Sequence, residues 1–409
     1  RPRILIGKDT RKSGDMLEAA LTAGLCSMGA KVIPLGVVPT PAVAYLTRYY
    51  KADAGVVISA SHNPCEYNGI KFFNSDGYKL SDGIENEIES YILGEKAIEE
   101  LPTHGKVGYV SANHNAVEDY VAFAVSTIDC RLDGMKIAVD CANGASYETA
   151  FKALNKLGAN VEAIHNTPDG VNINHMCGST HMESLQAYVT SIGADIGIAF
   201  DGDADRMLAV DENGKLIDGD QIMAACAKFM RDNGTLKQNT LVATVMSNLG
   251  LFMAGEKIGI NIPRTKVGDR YVLEEMLAKG YNIGGEQSGH IIFLDHNTTG
   301  DGLVSALQFL SVLKKTGMKA SEAASIVTVM PQVLRNAVVK LENKNSYMEN
   351  EEIAAACKAL EDEFAGEGRV LIRPSGTEPL VRVMIEGKDE EYITKKAEEL
   401  AELIEKILG

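Results

Sequence analysis

Apolar and polar positions follow a plan that repeats along this chain. In three stretches, residues 3–36, 136–164 and 240–268, an apolar strand-like run gives way to a loop rich in Gly, Ser, Asn or Asp. An amphipathic segment with the period of a helix follows, and a glycine (Gly29, Gly158, Gly259) precedes a second apolar run. That order predicts βαβ units, in which largely parallel strands are covered by helices. Its threefold recurrence predicts three tandem α/β domains of one design rather than a single large sheet. A third apolar run completes each unit: ADAGVVI at 52–58, ADIGIAF at 194–200 and the weaker GYNIG at 280–284. Each runs into a cluster of polar side chains, SASHNP, DGDADR or GEQSGH. Ligands gather at the carboxyl ends of parallel strands, so each domain is expected to offer one loop to a shared cleft.

The pattern changes near Arg335. Residues 338–341 read as a strand, 351–364 as an acidic amphipathic helix, 370–372 and 380–385 as strands around RPSGTEP, and 389–408 as a final amphipathic helix. This predicts a smaller α+β domain with helices on one face of a mostly antiparallel sheet. Residues 328–335, with Pro331 inside them, are the expected linker. The expected domains are 1–115, 116–215, 216–330 and 331–409, consistent with 409 residues being too many for one core.

Composition narrows the function classes. Hydrophobic residues make up 45% of the chain and charged residues 23%, the balance of a globular protein. No apolar run approaches the roughly 18 residues of a membrane span, and the start does not resemble a signal peptide. The seven cysteines are scattered without a CxxC, which argues against a disulfide framework or a zinc site. Cys65 reads as a small filler in a turn. A reducing, cytoplasmic setting is expected, with no membrane partner. The formal net charge of -16 argues against a nucleic-acid surface, which needs clustered Lys and Arg. Basic residues that meet an anionic substrate must therefore be gathered locally.

DGDADR carries the sharpest chemistry. Asp201, Asp203 and Asp205 alternate, which in extended backbone projects three carboxylates to one side. Their mutual repulsion calls for a cation, and all-oxygen ligation suits Mg2+. No glutamate closes an EF-hand loop at the required spacing. Arg206 adds a fixed cation for a phosphate that bridges to the metal. In SASHNP, Ser61 beside His62 suggests a hydrolase, but GxSxG is absent and adjacent strand side chains point apart. The alternative is a serine that carries a phosphoryl group and hands it to a sugar hydroxyl beside Mg2+. His62 then stabilises the loop, and Lys71, later in the same loop, moves a proton or neutralises phosphate charge. GGEQSGH joins the backbone freedom of Gly284, Gly285 and Gly289 to the polar groups of Glu286, Gln287, Ser288 and His290. A carboxylate and a hydroxyl two residues apart suit vicinal sugar hydroxyls. RPSGTEP places Arg373, Ser375, Gly376 and Thr377 in one turn with Arg382 on the next strand, donors suited to a phosphate dianion.

In this order, SASHNP with YNGIK, DGDADR, GEQSGH and RPSGTEP resemble the signature loops of the α-D-phosphohexomutase superfamily, and the likeness covers essentially the whole chain. Glutamine at 287 is most similar to the bacterial branch that acts on glucosamine phosphates. Relatives acting on mannose and glucose phosphates tend to carry methionine there, and such an enzyme is the alternative. The resemblance implies four domains around a central cleft, the last of them TATA-box-binding-protein-like. It implies Ser61 as the phosphoserine, holding one Mg2+ together with Asp201, Asp203 and Asp205. Glu286, Gln287 and Ser288 are expected on the sugar, and Arg373, Ser375, Gly376, Thr377 and Arg382 on the phosphate that is not reacting. Lys71 and His290 match positions proposed for proton transfer, and Arg11 and His62 are expected to support the catalytic serine. Arg206, Lys266, Gly268, Asp269 and Arg270 complete the expected substrate contacts.

The implied reaction is an isomerisation. The phosphoserine donates its phosphoryl to a sugar monophosphate, the sugar 1,6-bisphosphate reorients, and its other phosphate returns to serine. A metal-dependent phosphatase would instead use an aspartate of the carboxylate loop as nucleophile, and a sugar-phosphate sensor would need neither the serine nor the triad. A homodimer is compatible with the resemblance. It also implies a strand, a helix and a loop like FGTDGIRG ahead of Arg1. This sequence does not include them, so the first sheet is expected to lack part of its strands. Arg11 and Ser13 of KDTRKSG remain to support the active-site loop.

Overall fold

One sheet plan recurs three times in the computed structural model, which describes residues 1–98, 100–375 and 378–409. The first sheet has the order Ile70–Asn74, Ala54–Ile58, Arg3–Lys8, Lys31–Val37, Tyr109–Val110. The second runs Leu216–Ile217, Met207–Asp211, Ile196–Phe200, Lys136–Asp140, Asn160–Ile164. The third runs Arg264–Thr265, Val242–Thr244, Ile283–Gly285, Ile291–Phe293. In each, the strand that opens the unit lies between two parallel neighbours. The chain then turns back through the polar loop into an antiparallel strand. The polar loop is thus a hairpin connection as well as the carboxyl end of a parallel strand. In the second sheet both arms of that hairpin, IGIAF and MLAVD, are buried at every position. Strands covered on both faces read as continuous apolar runs, which is why they stand out in the sequence.

Chain contacts group the protein into two units: Arg1–Met246 with Ile258–Ile326, and Ser247–Lys257 with Val327–Gly409. The second unit therefore takes a segment from within the expected third domain. Its sheet has the order Gln332–Val338, Leu380–Glu386, Arg369–Pro374, antiparallel throughout. The helices Glu351–Phe364 and Glu390–Leu408 supply Ile353, Leu360, Ile393, Ala397 and Ile404 to a core shared with Val381, Val383 and Ile385 of the central strand. The first strand occupies Gln332–Val338, where a linker was expected, rather than 338–341. Pro331 marks no break, because a proline just ahead of a strand removes no ladder donor, and its carbonyl accepts from Gly387 N–H at 3.1 Å. A buried ion pair joins two strands of this unit: Arg369 Nε donates to Glu386 Oε2 at 2.8 Å, with the glutamate fully enclosed. Gly376 and Thr377, expected in the phosphate turn, lie outside the described residues. Among the described residues no helix is long and apolar enough to cross a membrane.

Candidate active site

Ser61 follows the strand Ala54–Ile58 in a turn and has φ 53, the left-handed region. For a serine this costs roughly 1–2 kcal/mol, so surrounding groups must hold it. The Ser61 N–H donates to Ser59 Oγ at 3.0 Å, and Ser59 donates in turn to Asp9 Oδ2 at 2.5 Å. Arg11 is buried against Asp9, and its Nη2 donates to the carbonyls of Ser61 at 3.2 Å and Asn63 at 2.5 Å. Arg11 therefore braces the serine turn. The Ser61 hydroxyl donates to Asp201 Oδ2 at 2.8 Å.

Asp201, Asp203 and Asp205 are buried and converge, each offering an oxygen within 4.8 Å of the others. They do not converge by alternation in extended backbone. The loop curls, with Ala204 at φ 56, and that turn brings the carboxylates together. Asp201 is pushed well above the usual carboxylate range by burial and by the charges of Asp205 and Asp203. Burial acts on Asp203 in the same direction, but the Lys71 ammonium outweighs it, assisted by the Thr40 hydroxyl, and holds Asp203 below its ordinary value. Lys71 Nζ donates to Asp203 Oδ2 at 2.6 Å and lies 3.9 Å from Asp205 Oδ2. Although burial alone would lower it, these carboxylates raise the Lys71 ammonium above its usual range. Lys71 belongs to the strand Ile70–Asn74, opposite Val57, and not to the loop in which it is expected from sequence. Asp203 Oδ1 and Asp205 Oδ1 are buried with no hydrogen-bond partner among the described residues. Two unpartnered carboxylate oxygens in an all-oxygen cluster fit a hard divalent cation.

His62 is exposed, its Nδ1 3.3 Å from Arg206 Nη1 and 3.5 Å from Ser61 Oγ. Partial burial, then the Arg206 charge, lower its pKa. His290 is buried, with Nε2 3.6 Å from Asp269 Oδ2 and 3.8 Å from Asp205 Oδ2, and neither ring nitrogen hydrogen-bonded among the described residues. Gly300 lies close against the imidazole. Burial would raise Asp269, but His290 and Lys79 outweigh it and hold the carboxyl at about 2.

The GGEQSGH loop is braced by hydrogen bonds to its neighbours. Glu286 Oε1 accepts from Gly268 N–H at 3.1 Å, and Gln287 Nε2 donates to Asp218 Oδ2 at 3.1 Å. Ser288 is exposed. Two expected substrate contacts are engaged elsewhere: Lys266 lies over the Tyr271 ring at 5.7 Å, and Arg270 binds Asp82 at 3.1 Å and Glu274 at 2.9 Å. In the second unit, Arg373 and Arg382 are cross-strand partners, and burial followed by the Arg382 charge lowers Arg373. Ser375 N–H bonds the Leu380 carbonyl at 2.8 Å, and Lys344 donates to the Ser375 carbonyl at 2.9 Å. Arg382 Nη2 also donates to Glu378 Oε2 at 3.2 Å, so a carboxylate of the same turn stands among these cations.

Sequence reasoning missed three supports, one at the turn of the second unit and two in the first unit. Lys344 is one. Thr40 donates to Asp203 Oδ2 at 2.6 Å and, through its backbone N–H, to the Asp203 carbonyl at 2.9 Å. Asn174 donates to Ser61 O and Asn63 O. None adjoins a polar loop in sequence, so no local signal marks them. Asp140, His165 and Cys177 also cluster. However, Asp140 accepts backbone N–H bonds from Ala142 at 2.8 Å and Gly178 at 2.9 Å and lies 2.9 Å from His165 Nδ1. With its oxygens so occupied, it clamps residues 165–178 in place.

The four domain models of the phosphoglucomutase/phosphomannomutase family match this chain in order. Alpha/beta/alpha domain I covers residues 1–99, domain II 117–214, domain III 218–330 and the C-terminal domain 337–403. A phosphoglucosamine mutase of Ruminiclostridium cellulolyticum is 63% identical over 404 residues, 99% of this chain and 90% of the relative. One from Acetivibrio thermocellus is 62% identical over 408 residues, 100% of this chain and 91% of the relative. The chain belongs to the phosphoglucosamine mutases. The mutase also shares its fold with a Burkholderia thailandensis phosphoglucomutase/phosphomannomutase family protein, at TM-score 0.81, 22% identity and coverage of 98% and 89% of the two chains. It is similar in fold to Aspergillus fumigatus N-acetylphosphoglucosamine mutase, a structure in complex with GlcNAc-6P and magnesium, at TM-score 0.67, 18% identity and coverage of 90% and 93%.

Proposed function

We propose that this mutase interconverts glucosamine 6-phosphate and glucosamine 1-phosphate in the cytoplasm, with Ser61 as phosphoryl carrier and a sugar 1,6-bisphosphate as intermediate. The observation that carries the reading is the 2.8 Å contact of the Ser61 hydroxyl with Asp201 inside a buried carboxylate triad. Asp201, Asp203 and Asp205, with the Ser61 oxygen, are the residues that would hold Mg2+, which when bound neutralises charge on the transferring phosphoryl group. When phosphoserine donates, the P–Oγ bond breaks, a bond from phosphorus to a sugar hydroxyl oxygen forms, and the hydroxyl gives up its proton. Lys71, kept charged by Asp203, neutralises phosphoryl oxygens rather than taking that proton. The proton is assigned to His290, whose ring nitrogens have no hydrogen-bond partner among the described residues. Glu286 grips sugar hydroxyls, and Arg373, Arg382 and Ser375 form an anion site for the idle phosphate.

The test is a comparison of glucosamine, mannose and glucose phosphates, with and without chelator, on wild type and Ser61→Ala. The glucosamine substrate should be preferred, chelation should stop turnover, and Ser61→Ala should lose both activity and the phosphorylated mass. Preference for mannose or glucose phosphates would move the enzyme to another branch of the family. An active alanine variant would end the phosphoserine mechanism.

A further inference from the structure

We propose that Asn174 is a positioning residue for phosphoryl transfer, an amide from the second domain that sets the backbone of the catalytic serine; this rests on Ser61 being the phosphoryl carrier. Asn174 is buried and left-handed, φ 58, a conformation asparagine tolerates better than most residues. Its Nδ2 donates to Ser61 O at 2.9 Å and Asn63 O at 3.0 Å. Two carbonyls facing one amide can be met only by its NH2 end, so chemistry fixes the orientation. Arg11 contacts the same two carbonyls from the first domain. The serine turn is therefore gripped from both sides, by a cation and by a neutral amide.

The mount of Asn174 is rigid. Its backbone N–H bonds the Ala142 carbonyl at 2.9 Å, and Asp140 ties down both ends of residues 165–178 through His165 and Gly178. Gly202 of the carboxylate loop packs against the same point, where a Cβ would stand 2.6 Å from both Asn174 Nδ2 and Ser61 O. Asn174 is thus the meeting point of the serine loop and the carboxylate loop. Ser61 holds a strained backbone conformation, so the direction of Oγ depends on what grips its carbonyl. In-line transfer needs that direction to be fixed. Asn174 touches no reacting atom; it acts through Ser61.

The test uses Asn174→Gly, which deletes the amide while keeping the left-handed backbone free of strain, and Asn174→Asp, which keeps the shape but removes the donor. Each full-length variant is phosphorylated with glucose 1,6-bisphosphate, its phosphoserine content is measured by intact mass, and single-turnover transfer to glucosamine 6-phosphate is followed by rapid quench. The expected result is a transfer rate per phosphoserine lower by on the order of 10- to 100-fold, the range carried by two hydrogen bonds. KM should stay within about twofold, since the amide contacts no part of the substrate. Wild-type transfer per phosphoserine in a folded variant would overturn the proposal, including when melting temperature or phosphorylatable fraction falls, because that is what a merely structural role gives. Asn174→Gly carries the test if the aspartate does not fold. Ser61→Ala run in parallel separates the two failures: if it keeps activity, the phosphoserine reading falls, and this inference with it.

Discussion

Gly300→Ala isolates His290 without altering its chemistry. An alanine Cβ would stand 2.4 Å from Cε1 and Nε2 of the imidazole and 2.7 Å from Cδ2. Carbon contacts settle near 3.5–4.0 Å, so the ring must retreat by about an ångström or more. Gly300 is not among the residues with positive φ, so the methyl group itself is the perturbation. Overpacking of this kind costs about 1–3 kcal/mol of stability. Displacing a group by 1 Å near the chemistry costs on the order of 100-fold in rate. Gly300→Ala should therefore lower kcat by about 10- to 100-fold while the melting temperature falls only a few degrees. The measurement is steady-state mutase turnover, normalised to phosphoserine content, with a thermal melt of the same sample. Combining the change with His290→Ala tests the route: if the effect passes through the imidazole, the double variant should be barely slower than His290→Ala alone. A wild-type kcat for Gly300→Ala, or simple additivity in the double variant, would refute the reasoning.

Arg369→Met should destabilise the C-terminal unit by about 3–5 kcal/mol, because it removes a cation paired with the enclosed Glu386 carboxylate; calorimetry should show a new transition at lower temperature, and an unchanged profile would contradict it. The His165–Asp140 contact makes stability depend on pH in a stated direction. Hydrogen bonding to Asp140 raises His165 above its ordinary value of 6.5. Its contribution is thus full below that value and fades as pH rises through the raised one. Melts of wild type and His165→Gln from about pH 5.5 to 8.5 should show a gap that narrows toward alkaline pH, and a constant gap would count against it.

The fold was readable because three buried strand-helix-strand units leave continuous apolar runs, and each functional loop interrupts such a run with short polar side chains. Ser61 and the three aspartates stand out in the sequence in that way. What escaped notice depends on tertiary contact. Lys71 lies on a strand because Val57 pairs with it, which no local pattern announces. The aspartates meet through a left-handed alanine, a conformation that residue type does not predict. Gln287, singled out as a mark of substrate choice, is turned toward Asp218 at the start of the helix Gly219–Asp232, so any effect on choice would pass through the shape of its loop. Thr40 and Asn174 lie in segments whose own composition suggests only a helix start and a turn.

Ser61 depends on partners from a later part of the chain: Asp201 lies 140 residues further on and Asn174 113. A ribosome adding about 5–20 residues per second needs roughly 7–28 s to cover the longer distance. During that interval the first domain can fold with its serine turn held from within by Arg11 and Ser59, but without Asp201 beside the hydroxyl. With Ser61 as the proposed phosphoryl carrier, the nascent chain would thus hold its serine before the carboxylates that flank it exist. Under that proposal, synthesis of the second domain completes the surroundings of the serine, so phosphoryl transfer would begin only once both domains are made.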